Sequence, residues 1–118
     1  MKRIVMLPSA LALWALTANA KEYRMAHNFG KVEVGSTVTS HWNLRAKQDQ
    51  QLHIQKVTLT GDDYTLETNC PEVLPPEQKC TVRAYFTPKQ QGLQNGSLVV
   101  DLYSEQFIID MSGEGVTP

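Results

Sequence analysis

The chain has 118 residues and a near-balanced charge, with 11 Lys and Arg against 12 Asp and Glu. That length fits one domain with a single core, and the absence of any basic run excludes nucleic acid as an expected partner. The only cysteines are Cys70 and Cys80.

The first elements in the chain read as a targeting segment. Lys2 and Arg3 precede an apolar run from Ile4 to Leu16, and Ala18-Asn19-Ala20 follows as a small-x-small cleavage site. This is the order of a secretory signal peptide. The run is shorter than the roughly 20 apolar residues of a spanning helix. Cleavage is expected between Ala20 and Lys21, placing the mature chain in the periplasm, outside the cell or on its surface, with no membrane-spanning segment left. Residues 1–20 are thus expected to be the signal peptide, 21–28 an N-terminal extension, and 29–118 the folded domain.

Within that domain, Val32 and Val34 alternate up to a turn at Gly35-Ser36. From 37 to 44, Val38, Ser40, Trp42 and Leu44 share one face and Thr39, His41 and Asn43 the other, the period of a half-buried strand. In 52–60 the parity changes, because Leu52 and Ile54 belong to one face and Val57 and Leu59 to the other. A bulge near Gln55-Lys56 brings all four to the core. Gly61-Asp62-Asp63 reads as a turn, with the two carboxylates as turn chemistry, and Tyr64 and Leu66 begin a short strand.

Cys80, Val82, Ala84 and Phe86 alternate with Thr81, Arg83 and Tyr85 as far as Thr87-Pro88. The polar stretch Lys89 to Gly96 reads as a loop, and Asn95-Gly96-Ser97 as a turn before a strand rather than a used glycosylation acceptor. Leu98, Val100 and Leu102 then face Phe107, Ile109 and Met111 in a hairpin turning at Ser104-Glu105. That turn sets Leu102 opposite Phe107, Val100 opposite Ile109 and Leu98 opposite Met111. Gly113 and Gly115 end the pattern. About seven short strands without sustained helical periodicity define a two-sheet antiparallel β-sandwich.

An even cysteine count in a small exported domain reads as a disulfide, and Cys70–Cys80 closes a short loop stiffened by Pro71, Pro75 and Pro76. Neither C-x-x-C redox spacing nor a zinc ligand set is present.

The residues Phe29-Gly30 with Val32, Val34 and Gly35, the loop from Cys70 through Leu74-Pro75-Pro76 to Cys80, and then Val82, Phe86-Thr87-Pro88, Gly92, Gly96, Leu98-Val99-Val100, Gly113 and Gly115 together carry a resemblance. The chain resembles the immunoglobulin-like domains of the ASPM-SPD-2-Hydin type, which in bacteria include the choice-of-anchor-D surface modules. The likeness spans nearly all of residues 29–116. It implies a seven-stranded immunoglobulin-like sandwich related to the major sperm protein and pilus-chaperone folds, and a non-catalytic role either as a repeat in a large surface protein or as a protein-binding module. One departure falls at Glu77, where the family usually has Gly.

The mature chain has no G-x-S-x-G, P-loop or H-E-x-x-H motif, so no catalytic residue and no cofactor is expected. Of His27, His41 and His53, the last two point away from the core and lack carboxylate or Cys neighbours at ligand spacing, so no metal is expected. Trp42 shares parity with Val38 and Leu44 and is expected in the core. The function expected is that of a protein-interaction subunit or accessory of an envelope assembly such as a filament, pilus or secretion apparatus, with protein partners in that assembly and self-association as an open option. The alternative is a carbohydrate- or small-ligand-binding module. The candidate partner site is the outward face of the last hairpin, where Val99, Tyr103 and Ile108 are apolar, with the last strand expected at a sheet edge.

Overall fold

The alternation of apolar and polar residues resolves into two packed sheets in a computed structural model, which describes residues 21–118. The expected signal peptide lies outside the described residues. The strands are β1 (Lys21–Glu33), β2 (Val38–Arg45), β3 (Leu52–Thr60), β4 (Tyr64–Thr68), β5 (Val73–Leu74), β6 (Lys79–Phe86), β7 (Gly92–Leu102) and β8 (Glu105–Val116). One sheet has the order β1-β8-β7-β3-β5, and the other β2-β6-β4. All pairings are antiparallel except that of β1 with β8, which is parallel. The all-β sandwich expected from the pattern, and immunoglobulin-like by the resemblance, is therefore the fold, with one strand more than the seven counted.

That extra strand is β5, which lies inside the disulfide loop. The chain leaves β4 in the smaller sheet, pairs Val73 and Leu74 with His53 and Leu52 at the edge of the larger one, and returns as β6. Leu74 is buried by this excursion. Cys70 and Cys80 are joined, with their Cα atoms 5.0 Å apart, so the covalent link closes the detour where it starts and ends. In chain-entropy terms such a closure contributes roughly 2–3 kcal/mol.

The core lies between the sheets. Val82, Ala84 and Phe86 from β6 meet Leu98, Ile109 and Met111 from β7 and β8, with Tyr64 and Val32 completing the cluster. A second cluster joins Ala46, Ile54, Leu74, Cys80, Val100 and Leu102 around the disulfide. Trp42 is half-buried against the first cluster. The parity change in β3 is a bulge, since Ile54 opposes Leu102 while Lys56 opposes Asp101, leaving Gln55 as the extra residue. Ile54 on one side of it and Val57 and Leu59 on the other thus all pack inward.

The last hairpin keeps the expected parity but in a different register. Val100 lies opposite Phe107, Leu98 opposite Ile109 and Gly96 opposite Met111. The turn falls at Tyr103-Ser104, one residue earlier than expected, which shifts every pair by two and leaves the faces unchanged. The expected loop at Lys89 to Gly96 is also corrected, because β7 begins at Gly92 and Asn95 pairs with Ser112. Gly96 is there for close approach: a Cβ on it would come within 2.7 Å of the Tyr64 ring. The Tyr64 hydroxyl then donates to the Gln94 carbonyl, 3.1 Å away.

Residues 21–28 run as the first half of β1, from Lys21 opposite Glu105 to Asn28 opposite Ser112. A register irregularity between Asn28 and Lys31 separates this half from the buried Val32. Along this half Tyr23, Met25, His27 and Phe29 alternate with Glu22, Arg24, Ala26 and Asn28, and His27 and Phe29 are half-buried.

Candidate functional site

The sandwich is incompletely filled at one side. The first half of β1 is almost wholly exposed, and its inward-parity residues Tyr23 and Met25 retain 42% and 54% of their surface. They overlook a groove of about 700 Å³ between the sheets. Its floor is apolar, from Val82 on β6 through Leu98, Val100 and Leu102 on β7 to Phe107 and Ile109 on β8. Trp42 and Leu44 on β2 form one wall, and Tyr23 stacks on Phe107 with ring centroids 5.1 Å apart. His27 meets Trp42 edge-on at 5.5 Å towards the closed end, where Phe29 continues into the core.

The groove is bordered by two strand edges that have no partner strand among the described residues. β1 is the last strand of its sheet and β2 the last of the other. Residues of both parities line the groove from each, Tyr23-Arg24-Met25 on β1 and Trp42-Asn43-Leu44-Arg45 on β2. Side chains of alternate parity point to opposite faces of a strand, so consecutive lining residues mean that the edges border the opening. The rim carries Arg24, Arg45, Lys47 and Glu105. Arg24 is held by Glu22 at 2.9 Å and by Asp110 at 2.8 Å. The hydrogen bonds to these carboxylates raise its pKa further. Among the described residues, Arg45 and Lys47 make no ion pair, and the Arg45 guanidinium reaches only the Glu77 carbonyl, at 3.4 Å.

Of the sequence-derived candidates, Ile108 lines the groove, whereas Val99 and Tyr103 lie outside it. Val99 and Ile108 are direct partners across β7 and β8 rather than diagonal neighbours. Ile108 is only 7% exposed, flanked in register by Arg24 on β1 and Val99 on β7. β8 is not at an edge, because β1 covers it; this corrects the expectation that the last strand is free. Tyr103 is 71% exposed and meets His53 edge-on at 5.6 Å. His41 and His53 sit on different sheets, and no cluster of three metal-ligating side chains occurs among the described residues. Of the two turn carboxylates, Asp62 is exposed and Asp63 buried, and one Asp63 oxygen lacks a hydrogen-bond partner. The sequence signal that could have found the groove is the alternation of Tyr23, Met25, His27 and Phe29 with Glu22, Arg24, Ala26 and Asn28, which marks the first half of β1 as a strand.

With its sandwich, parallel first strand and disulfide excursion described, the chain can be placed in a class. It belongs to the HYDIN/CFA65/VesB-like Ig-like domain family, matched over residues 21–115. No curated protein matches it by sequence. Among solved structures it is similar to the secreted serine protease VesC from Vibrio cholerae, with 12% identity, 91% of this chain and 25% of that chain covered, and a TM-score of 0.58. It is also similar to the Vibrio cholerae VesB protease, at 13% identity, coverage of 89% and 34%, and a TM-score of 0.59. The PapD-like domain 7 of human CEP192 matches at 15% identity, with coverage of 79% and 82% and a TM-score of 0.53. The chain thus spans a quarter to a third of the two proteases and most of the isolated CEP192 domain. At these identities the likeness is one of fold.

Proposed function

We propose that this chain is a non-catalytic, exported protein-interaction subunit of a cell-envelope assembly. The observation that carries this reading is the open groove, where an apolar floor lies between two unpaired strand edges. Immunoglobulin-like domains bind proteins through such edges and faces. Export is supported by the signal-peptide pattern of residues 1–20 and by the disulfide, which belongs to an oxidising compartment. The ASPM-SPD-2-Hydin resemblance and a bacterial host belong to the same reading. Tyr103, beside His53 at the far end of the last hairpin, adds an exposed contact.

A second reading, a small-ligand-binding module, draws on the groove's volume, which lies in the range of ligand pockets. The free edges favour the first reading, since rows of backbone donors and acceptors are matched by another backbone. Fractionation of the native host followed by cross-linking tests the proposal. The expected result is a disulfide-bonded chain in the envelope fraction, cross-linked to specific proteins. A reduced cytoplasmic protein that forms no cross-links overturns it.

A further inference from the structure

We infer that the groove receives an extended segment of a partner protein, antiparallel to β2 and acidic at its N-terminal end. This rests on the protein-interaction reading and specifies the partner's chemistry.

Three observations converge on that occupant. The first is the pair of edges. Among the described residues β2 is hydrogen-bonded on one side only, to β6, so alternate N–H and C=O groups along Val38–Arg45 face away from their sheet. An added strand satisfies such a row; an alkyl chain or a sugar does not. The second is the spacing of the wall. Trp42 and Leu44 are two residues apart and face the same way, and Leu98 and Val100 repeat that spacing on the floor. A strand laid along β2 sends every second side chain inward to meet them and the others to solvent.

The third is charge. Of the four charged residues on the rim, Arg24 is neutralised by Glu22 and Asp110, and Glu105 lies beside the Tyr23 hydroxyl at 3.4 Å. Three of the four make no ion pair among the described residues: the carboxylate Glu105, and the two cations Arg45 and Lys47, both exposed, which sit at the C-terminal end of β2 and two residues beyond it. Acidic residues on the incoming segment complement the two cations. Antiparallel pairing, the slightly more stable arrangement, puts the N-terminal end of the segment there.

The test uses synthetic peptides of about nine residues, enough to run the length of β2. The first carries two Asp residues at its N-terminus, then Val or Leu alternating with Thr, and a C-terminal amide. The second has Lys in place of Asp. The third keeps the composition of the first and breaks the alternation. Laurate serves as an alkyl carboxylate probe. Binding to the exported full-length protein is followed by backbone amide shifts and amide exchange.

The expected result is that the first peptide binds, moves the amides of Trp42 to Arg45 and protects outward-facing β2 amides from exchange. The third peptide binds at least about tenfold more weakly. The double variant Arg45→Glu with Lys47→Glu, whose two sites are exposed, weakens the first peptide about tenfold and strengthens the second, a swing typical of rim charge reversal. Indifference to alternation or to the charge reversal overturns the inference. So does laurate binding without peptide binding, or closure of the groove by a second copy in a concentration-dependent dimer.

Isolating the same double variant from the host separates the two levels of the account. Native envelope complexes that persist undiminished, together with failed peptide binding, remove the groove as the docking site and leave the interaction role standing. Absence of any complex with the unaltered chain removes the interaction role itself.

Discussion

Glu77 donates its backbone N–H to the Lys47 carbonyl at 3.0 Å while holding a φ of 68°. It is the only described residue other than glycine with positive φ. The Gln78 N–H closes the turn onto the Pro75 carbonyl at 3.1 Å, which puts Pro76 and Glu77 at the two central positions. A type II turn needs positive φ at the second of these, where Gly is the unstrained choice. The departure from the resembled family's usual Gly therefore falls at the one position where Gly has a conformational reason to be. Glu77→Gly is expected to change stability by no more than about 1 kcal/mol, with relief of strain offsetting the added freedom of the unfolded chain. Glu77→Val is expected to cost about 1–2 kcal/mol, since a β-branched residue suits that conformation worst. Urea unfolding of the two variants checks the order, and a Val variant as stable as the Gly variant contradicts it.

The disulfide is expected to matter more than its short loop implies, because it closes the excursion that buries Leu74. Cys80→Ser should lower stability by roughly 2–4 kcal/mol. Amide exchange should locate the loosening first at Val73 and Leu74 and their partners Leu52 and His53. Uniform loosening across both sheets would assign the disulfide a different role.

Gly113 lies directly beneath the Phe86 ring, and an added Cβ would collide with three of its atoms. Phe86 is fully buried and cannot swing aside. Gly113→Ala should therefore cost roughly 1–3 kcal/mol through overpacking. Gly35→Ala, where a Cβ meets nothing, should cost only the penalty of its positive φ. Thermal unfolding of the pair measures the difference, and equal midpoints would contradict the packing argument.

Tyr64 should make the fold sensitive to alkali. Burial, with the nearby Asp63 charge, pushes its hydroxyl up to about 12 from an ordinary value of 10.0. The folded state thus holds this proton more tightly than the unfolded state does. Its contribution is fully present below pH 10 and is lost as pH rises from 10 towards 12. The loss is on the order of 2 kcal/mol. Unfolding measured across this window should show a decline that Tyr64→Phe reduces. An identical decline in the variant would trace the effect elsewhere.

The parts of the fold that were legible in the sequence are those where one face is buried and the other is wet. The bulge at Gln55 was visible because Leu52 and Ile54 change parity with Val57 and Leu59, and only an extra residue reconciles them. The face of the last hairpin was visible for the same reason, but its register was not, since Tyr103-Ser104 and Ser104-Glu105 give the same parity and neither carries a glycine. Asn95-Gly96 misled because a glycine required by the Tyr64 ring looks identical to one required by a turn. The two-residue β5 is too short to show a period. The alternation of Tyr23, Met25, His27 and Phe29 marks a strand, but nothing local shows that it pairs in parallel with β8 or that two edges distant in sequence face one opening.

The most direct measurement of the central claim is native mass spectrometry of the chain isolated, without overproduction, from the envelope fraction of its own host. The expected spectrum shows a disulfide-bonded chain in a stoichiometric complex with at least one other envelope protein, released when the docking surface is disrupted. A monomer recovered alone under conditions that preserve other envelope complexes would contradict it.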